Sequence, residues 1–422
     1  MYEKHTIQKY QYLETDCDCH PEMEVAITQR CNYNCMYCFE AADANKMTDE
    51  FTLEEFVKLM DDARDCGINC IALTGGEPMV HKNFIDFLDI INERDLGISE
   101  IMTNGSLISD DFLKYLKTIP AASNTKFCIS FDGLNGKHNK IRQTNSENVV
   151  LNNIKKCLEY GFDVKITYNL SKFNINELKD TTILLNNMGI KEFRIARTMP
   201  APKWNLFAPG TEISHKEWLD MSVEYVKWYT KQNMKMKIDV WNACIIYPDK
   251  KYIILNNIKS CGNKDVDDNR ILCPLTSMRI CVCGDGMMVP CHQVSGILRF
   301  EGIDLGNVKQ EGLYSILKDS KWKELINTKV TERLKYQEKC KKCEFWSMCL
   351  GGCPVIGAPW RWEYGEKFPF STDVTQCAFF EGGYLDIFKK EVVSRGWHLP
   401  IFFGMPLPSF DTPGRTRMEL RK

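Results

Sequence analysis

Short apolar segments alternate with amphipathic segments from about residue 20 to about residue 200. The apolar segments have the length of buried strands, and the segments between them carry apolar residues at helical spacing. The predicted strands are Val25–Gln29, Cys70–Thr74, Glu100–Thr103, Lys126–Phe131, Val164–Asn169 and Phe193–Thr198. Six successive β–α units predict a parallel sheet covered by helices, either doubly wound or closed as a barrel. In both folds, functional groups belong on loops at the carboxyl ends of the strands.

Capping signals predict where the helices start. Thr52 and Glu55 have the spacing of a capping box, Phe51 and Phe56 can form a hydrophobic staple, and Gly67 suits the exit of the first helix. The predicted starts of later helices are Ser109, Ser146, Asn174 and Ser214.

The pattern changes in the last third of the chain. Between Cys261 and Cys377 cysteines are dense, and only one helix, near Leu313–Asn327, can be recognised. The apolar, proline-rich segment His398–Pro408 follows. Because an exposed apolar patch of this kind is unusual, we expect the segment to dock on the body of the protein.

Charge and composition exclude several classes of protein. The chain has 422 residues, 54 Lys+Arg and 56 Asp+Glu, for a net charge of −2. This balance argues against a general nucleic-acid binder, which carries a basic excess. No apolar run approaches the ~20 residues that span a bilayer, and the N-terminus lacks the apolar core of a signal peptide. We therefore expect a cytoplasmic protein of two or three domains without a membrane partner.

Twenty cysteines are the exception in this ordinary composition. In a small secreted protein they would predict disulfides, but this chain is long and shows no export signal. In a reducing compartment, so many thiols indicate metal binding.

The first cysteine group is CNYNCMYC, directly after the first predicted strand, with Cys31, Cys35 and Cys38. Three thiolates can hold three irons of a 4Fe–4S cube and leave the fourth iron open for a ligand. A tetrahedral zinc site would need a fourth ligand, for which Cys17, Cys19 and His20 are alternatives.

Further polar motifs lie at the ends of the next three predicted strands. They are GGEP from Gly75 to Pro78, TNG from Thr103 to Gly105, and SFDG from Ser130 to Gly133, with His138 and Arg142 following. Singly each motif is as typical of a tight turn as of a binding site. Together with the three cysteines they indicate an active site at one edge of the sheet.

These motifs resemble the radical SAM superfamily, with Tyr37 in the aromatic position of the cysteine motif. The resemblance implies a partial (β/α)6 TIM barrel and S-adenosylmethionine (SAM) chelated to the open iron by its amino and carboxylate groups. It also implies reductive cleavage to a 5′-deoxyadenosyl radical that abstracts a hydrogen atom. The cofactor-binding residues that it implies are Tyr37, Gly75, Gly76, Glu77, Pro78, Asn104, Ser130 and Arg142.

The second cysteine group resembles the SPASM extension, a cysteine-rich domain that binds two auxiliary 4Fe–4S clusters, giving three clusters in all. The resemblance assigns Cys340, Cys343, Cys349 and Cys377 to an outer cluster and Cys273, Cys291 and Cys353 to an inner one. Two closed cubes need eight thiolates, so one ligand is missing. Cys261 is the first candidate, Cys281 and Cys283 are alternatives, and an open iron is the remaining option. The competing interpretation is one or two structural zinc sites.

We therefore divide the chain into five parts: an N-terminal segment 1–21, a barrel 22–213, a bridging helix and linker 214–260, a SPASM domain 261–377, and a tail 378–422.

The resemblance implies an enzyme that modifies a ribosomal precursor peptide through a thioether or carbon–carbon cross-link. We expect a flavodoxin- or ferredoxin-type electron donor. Only some thirty residues precede Cys31, too few for a peptide-recognition domain, so the alternatives for peptide capture are a separate peptide-recognition protein, the C-terminal tail and the cleft itself. His292 occupies the position where sulfatase maturases have a catalytic aspartate, so it is the candidate base, and it argues against that activity. The alternatives are an anaerobic sulfatase maturase, a small-molecule dehydrogenase, and a metal-stabilised scaffold or electron carrier.

Overall fold

A computed structural model describes residues 22–38, 49–198, 208–258, 271–272, 279–357 and 369–399. Four cysteines of the sequence predictions, Cys17, Cys19, Cys261 and Cys273, lie outside these residues, as does His20. Only the first two residues of the predicted docking tail, His398 and Leu399, are described.

Within the described residues, eleven strands form one sheet in the order β11-β10-β1-β2-β3-β4-β5-β6-β7-β8-β9. The strands are β1 Glu22–Ala26, β2 Cys70–Thr74, β3 Gly97–Thr103, β4 Lys126–Ser130, β5 Asp163–Leu170, β6 Glu192–Arg197, β7 Lys237–Val240, β8 Cys244–Tyr247, β9 Tyr252–Leu255, β10 Arg279–Val282 and β11 Met288–Val289. Strands β10 and β1 to β7 are parallel to one another, whereas β11 pairs antiparallel with β10, β8 with β7, and β9 with β8. The parallel part confirms the predicted partial-barrel architecture.

Helices connect the parallel strands and cover one face of the sheet. In the first half they are α1 Leu53–Asp65, α2 Phe84–Glu93, α3 Asp110–Thr118, α4 Lys137–Arg142, α5 Glu147–Glu159, α6 Leu178–Asn187 and α7 His215–Tyr229. The described helices that follow β11 are α8 Ser295–Glu301, α9 Val308–Glu311, α10 Leu313–Lys318, α11 Ser320–Asn327, α12 Glu338–Lys341, α13 Trp346–Cys349, α14 Pro354–Gly357, α15 Val374–Glu381 and α16 Tyr384–Val393. None of the described helices is long and apolar enough to cross a membrane.

The capping signals were accurate for three helices. The Thr52 hydroxyl accepts a hydrogen bond from the Glu55 amide at 3.2 Å, and the Glu55 carboxylate accepts one from the Thr52 amide at 2.9 Å. Ser214 and Glu217 form a capping box at α7 in the same way, and Ser109 caps α3 by accepting a hydrogen bond from the Phe112 amide. The helix predicted near Leu313–Asn327 is two helices, because Asp319 ends the first and caps the second through the Lys321 amide at 2.7 Å.

The sheet has one apolar face and one charged face. Alternate strand residues such as Val25, Leu73 and Ile129 pack in the hydrophobic core with the helices. The other face carries buried or half-buried charges of both signs, namely Glu22, Glu24, Glu100, Lys126, Lys165, Glu192, Arg194, Lys237, Asp239 and Arg279. This face is the interior of the partial barrel.

Charges of opposite sign are neighbours across this interior face. Lys165 Nζ lies 3.9 Å from Glu100 Oε1 and 3.7 Å from Glu192 Oε1, and Lys237 Nζ lies 3.8 Å from the same Glu192 oxygen. Burial raises the pKa of the Glu192 carboxyl, but the neighbouring lysines outweigh this effect and lower it to about 2. The interior is therefore a paired ionic network.

The second half of the chain also contacts the barrel through side chains. Arg197, at the end of β6, donates to Thr375 Oγ1 of α15 at 3.1 Å, and the Tyr384 hydroxyl of α16 donates to Asp220 of α7 at 2.6 Å. Strand β10 pairs with β1, and Arg279 donates to the Glu24 carboxylate at 2.8 Å. The sheet thus extends beyond residue 213, where we placed the end of the barrel.

Candidate active site and cluster ligands

The three cysteines of the first motif lie together in the loop that follows β1. Cys31 and Tyr33 are buried and pack with Cys35 and Cys38. Burial raises the pKa of the Cys31 thiol to about 12, and Glu77, Cys35 and Cys38 add to the shift. Buried thiols that pack against one another ionise readily only when they bind a metal. The loop therefore fits the ligand set of an iron–sulfur cluster.

Tyr37, the aromatic residue of the motif, is fixed by a buried carboxylate. Its hydroxyl donates to Asp132 Oδ2 at 2.7 Å, and Arg142 Nε donates to the same oxygen at 2.7 Å. The Asn169 amide donates to Asp132 Oδ1 at 2.8 Å. Arg142 Nη1 then lies 4.0 Å from Cys35 Sγ. Asp132 thereby joins the cysteine loop to the ends of β4 and β5.

The glycines of GGEP allow two backbone segments to touch. The Gly76 amide donates to the Thr28 carbonyl at 2.8 Å, and the Glu77 amide donates to the Arg30 carbonyl at 2.9 Å. A Cβ on Gly75 or on Gly76 would lie 2.3 Å from the nearest of these carbonyl oxygens. Only glycine fits at both positions, so the motif fixes the start of the cysteine loop.

Glu77 joins the ends of β2 and β3 beneath the site. Its carboxylate accepts hydrogen bonds from Thr103 Oγ1 at 2.7 Å, the Asn104 amide at 2.6 Å and the Met79 amide at 3.2 Å. Complete burial raises its pKa to about 7, although these hydrogen bonds favour the ionised form. In this structure Glu77 therefore has a bridging role, and its contact with SAM stays a prediction.

The remaining predicted SAM residues lie at the same edge of the sheet. Asn104 Nδ2 donates to Asn32 Oδ1 of the cysteine loop at 2.7 Å, which ties TNG to CNYNCMYC. Pro78 is buried at the first position of a 3-10 turn, and Ser130 is the last residue of β4. The structure brings these residues together around one loop, and their individual roles stay predictions.

The four cysteines assigned to the outer cluster surround one cavity. Cys340 precedes the end of α12, Cys343 follows it, Cys349 ends α13, and Cys377 lies in α15. All four line this cavity together with Phe345, Trp346 and Phe380. Burial raises the pKa of Cys349 to about 12 and that of Cys377 to about 11. Four thiols around one apolar cavity fit a closed 4Fe–4S cube.

Only two of the inner cysteines lie in the described residues, Cys291 and Cys353. Of the alternatives for the missing ligand, Cys281 and Cys283 are buried in or beside β10. Cys281 groups with Glu24 and His292, with one potential ligand atom of each lying within 4.8 Å of the others. The identity of the eighth ligand stays a prediction.

His292, the candidate base, faces β1 and β10. Its Nε2 lies 3.6 Å from Glu24 Oε1, and its Nδ1 lies 3.8 Å from Cys283 Sγ. Nε2 has no hydrogen-bond partner among the described residues. The ring therefore reaches the charged interior of the barrel from the SPASM side.

Sequence reasoning missed several residues of these sites. Asp132 was part of the SFDG motif but was given no role, and Arg333, buried beside Cys340 and Cys349, was not considered. The charges inside the barrel escaped notice although they recur at every second strand position, as in Glu22 and Glu24. That period of two was the available signal.

Two family models match the chain. Residues 25–185 match the radical SAM superfamily, and residues 273–344 match SPASM, described as an iron–sulfur cluster-binding domain. Together these domains imply SAM and 4Fe–4S clusters.

Curated relatives are similar to part of this chain, and solved structures share its fold over most of its length. A GTP 3′,8-cyclase from Alkaliphilus oremlandii is 30% identical over 206 residues, which are 46% of this chain. The chain spans 62% of that relative's length. SuiB from Streptococcus suis bound to S-adenosylmethionine has a TM-score of 0.63 at 15% identity, covering 85% of this chain and 77% of SuiB. The protein anSMEcpe with bound AdoMet and the Cp18Cys peptide has a TM-score of 0.64 at 17% identity, covering 89% and 99%. The chain therefore contains a radical SAM domain and a SPASM iron–sulfur cluster-binding domain.

Proposed function

We propose that this protein is a radical SAM maturase that forms a thioether or carbon–carbon cross-link in a ribosomal precursor peptide. The observation that carries the proposal is the pairing of two thiol sets in one chain: an incomplete set of three at the barrel edge and a set of four around a separate cavity. The first set leaves an iron open, and the second closes its cube.

In this proposal Cys31, Cys35 and Cys38 hold the cluster that binds SAM. When bound and reduced, these cofactors supply the 5′-deoxyadenosyl radical that takes a hydrogen atom from the substrate. The chain's own part is to position the ligands. Asp132 accepts hydrogen bonds from Tyr37 and Arg142 beside the cysteine loop. Glu77 links the ends of β2 and β3 by accepting a hydrogen bond from the Asn104 amide.

The SPASM cysteines would hold two auxiliary clusters, with one thiolate of the inner cluster supplied by Cys261, Cys281 or Cys283, or left out. These clusters would accept the second electron that cross-link formation releases, or hold a substrate thiol. A flavodoxin- or ferredoxin-type protein would donate the first electron, and a separate protein would help to bind the peptide. His292 is the candidate group for taking the proton, because it enters the barrel interior beside Glu24.

The peptide substrate has support from fold likeness. SuiB has also been solved bound to the precursor peptide SuiA, and anSMEcpe with a peptide. At 15–17% identity the likeness extends to the fold only. The peptide therefore needs a direct test.

The test begins with anaerobic purification and an iron count. We expect ~12 irons per chain and cleavage of SAM to 5′-deoxyadenosine after reduction. Replacing Cys31, Cys35 and Cys38 with Ala should abolish the cleavage and remove about a third of the iron. A colourless zinc protein, or SAM cleavage that survives the triple replacement, would contradict the cluster assignment.

The substrate is tested with short peptides encoded beside the gene. Each is incubated with reduced enzyme and SAM, and mass spectrometry should find a product that has lost two hydrogen atoms. The matched control is the triple cysteine variant, which should leave the peptide mass unchanged.

A second candidate function is the cyclisation of GTP, because several curated relatives at 30–32% identity are GTP 3′,8-cyclases. The same assay with GTP in place of peptide separates the two. Consumption of GTP that depends on SAM would favour the cyclase, and peptide modification without GTP turnover would favour the maturase.

A further inference from the structure

Arg333 is a completely buried arginine with unused hydrogen-bond donors. It lies in the 3-10 turn Val330–Lys335, and its exposure is 0%. Nη1 donates to the carbonyl oxygens of Leu350 and Gly352, at 2.8 and 3.1 Å. Nε and Nη2 have no partner among the described residues. Burying idle guanidinium donors is costly, so a further acceptor is expected at this place.

The turn between Cys349 and Cys353 is shaped around this guanidinium. Leu350, Gly351 and Gly352 have φ values of 53°, 77° and 68°, three left-handed residues in succession. A Cβ on Gly351 would lie 2.3 Å from Arg333 Nη1. Glycine is therefore required there because the guanidinium occupies the space that a side chain would need.

The turn that Arg333 binds connects the two auxiliary cysteine sets, because Leu350 and Gly352 lie between Cys349 and Cys353. Burial lowers the pKa of its guanidinium, and negative charge on Cys340, Cys353, Cys349 and Asp373 opposes this shift, in that order of strength. Cys340 and Cys349 belong to the outer set, and Cys353 belongs to the inner one. Arg333 thus lies where the two sets approach each other.

A cation in this position acts on the electron affinity of nearby clusters. The reduction potential of a cluster depends on its net charge and on hydrogen bonds to its sulfurs. Reduction adds negative charge, and a buried cation stabilises the reduced form more than the oxidised form because the surroundings screen little. The effect reaches both clusters if the cation lies between them.

We propose that Arg333 is a positioning residue shared by the two auxiliary clusters, with Nε and Nη2 donating hydrogen bonds to cluster sulfur on both sides and its charge raising both reduction potentials. The inference rests on the auxiliary clusters of the proposed function. It adds that these clusters are coupled through one side chain.

The test uses the chain in which Cys31, Cys35 and Cys38 are replaced with Ala, so that only the auxiliary clusters contribute. In this background Arg333→Gln should lower the equilibrium constant for reduction of each cluster at least tenfold, or about 59 mV for one electron. Potentiometric titration followed by EPR measures this change. Arg333→Lys keeps the charge, so its reduction potentials should fall by less than half as much as those of Arg333→Gln.

The matched control is Arg94→Gln, which removes an arginine at the end of α2 that is paired with Asp61 of α1 at 2.8 Å and should leave both potentials unchanged. A shift confined to one cluster, or no shift with the iron count preserved, would overturn the proposal. An iron count that shows no auxiliary iron in the parent chain would instead contradict the clusters themselves.

A measurement on the unsubstituted arginine keeps the proposal testable if Arg333→Gln loses iron. Pulsed EPR of the reduced parent chain, grown with arginine labelled by heavy nitrogen in the guanidinium, should detect coupling between that nitrogen and the clusters. The coupling should weaken in Gly351→Ala, in which the new methyl group displaces the guanidinium. Absence of coupling in the parent chain would exclude the hydrogen bonds.

Discussion

Ionisation of the Glu77 carboxyl group destabilises the folded state. Its folded pKa of about 7 lies above the value of 4.5 for a solvated glutamate, with burial as the main cause. Between these two values the folded chain binds more protons than the unfolded chain, so this group's contribution to stability falls as the pH rises. At pH 8 the folded state therefore holds a buried charge at a net cost.

We predict that Glu77→Gln changes the pH dependence of the free energy of unfolding. From pH 4.5 to pH 8 the variant should gain roughly 3 kcal/mol relative to the unsubstituted chain, the equivalent of the shift in pKa from 4.5 to about 7. Anaerobic urea unfolding at a series of pH values measures the difference. Parallel curves for the two proteins would contradict the ionisation argument.

Gly76 is the second residue on which the site depends. We predict that Gly76→Ala costs more than ~2 kcal/mol of stability and lowers the iron content, because its methyl carbon would lie 2.3 Å from the Arg30 carbonyl oxygen. Gly296→Ala is the matched control. Gly296 lies in α8 with open space around its Cα, so alanine should be neutral or stabilising. Similar losses in the two variants would refute the close-approach argument.

At the scale of elements, the charged interior links the strands. We predict that Lys165→Met destabilises the protein by about 3–5 kcal/mol, because it leaves the buried Glu100 and Glu192 carboxylates without the lysine between them. Thermal and urea unfolding of the variant measure the loss.

The control is Lys191→Met, which removes the exposed pair with Asp163 and should change stability by less than ~1 kcal/mol.

The charged network also makes the stability of the folded chain depend on pH in acid. Because Lys165 and Lys237 hold the pKa of Glu192 near 2, its stabilising contribution is complete above pH 4.5 and is lost as the pH falls toward 2.

Local signals predicted the elements well, whereas distant pairings escaped prediction. The capping box at Thr52 is complete within four residues, so the sequence contains the whole argument for it. Strand β10 is four residues long, and its partner β1 lies more than 250 residues away in the chain. No local pattern specifies such a pairing, which is why β10 and β11 were missing from the prediction.

At the scale of the whole molecule, Thr375 joins the barrel to the SPASM region. Burial and Arg197 lower the pKa of His215 to about 3, so its ring is neutral. Because Arg197 Nη1 lies 3.0 Å from His215 Nδ1 and can only donate, Nδ1 is an acceptor. The Thr375 hydroxyl can then donate to His215 Nδ1 at 2.8 Å while it accepts from Arg197 Nη2 at 3.1 Å. One hydroxyl completes both contacts.

We predict that Thr375→Val costs about 1–3 kcal/mol, because Arg197 Nη2 and His215 Nδ1 each lose a buried hydrogen bond to the hydroxyl. Hydrogen exchange should accelerate at the end of β6 and the start of α15. Thr375→Ser keeps the hydroxyl and should behave nearly as the unsubstituted protein. Equal exchange rates in the Val and Ser variants would show that the hydroxyl does not join the two regions.

The sequence predicts those residues of the candidate site that belong to short motifs. The SPASM resemblance assigned Cys340, Cys343, Cys349 and Cys377 to one cluster, and all four line the same cavity. Arg333 was beyond prediction, because its importance depends on burial and on the left-handed turn at Gly351. Burial and unused donors are properties of the folded chain.

The pairing of β10 with β1 has a consequence for the order of synthesis. Arg279 of β10 and Glu24 of β1 are 255 residues apart, which a ribosome translates in roughly 13–50 s at ~5–20 residues per second. During that interval one edge of β1 has no strand beside it, directly before the cysteines that follow. Strand β10 lies within the residues that match SPASM. The sheet of the barrel is therefore completed only after part of the SPASM region has been synthesised.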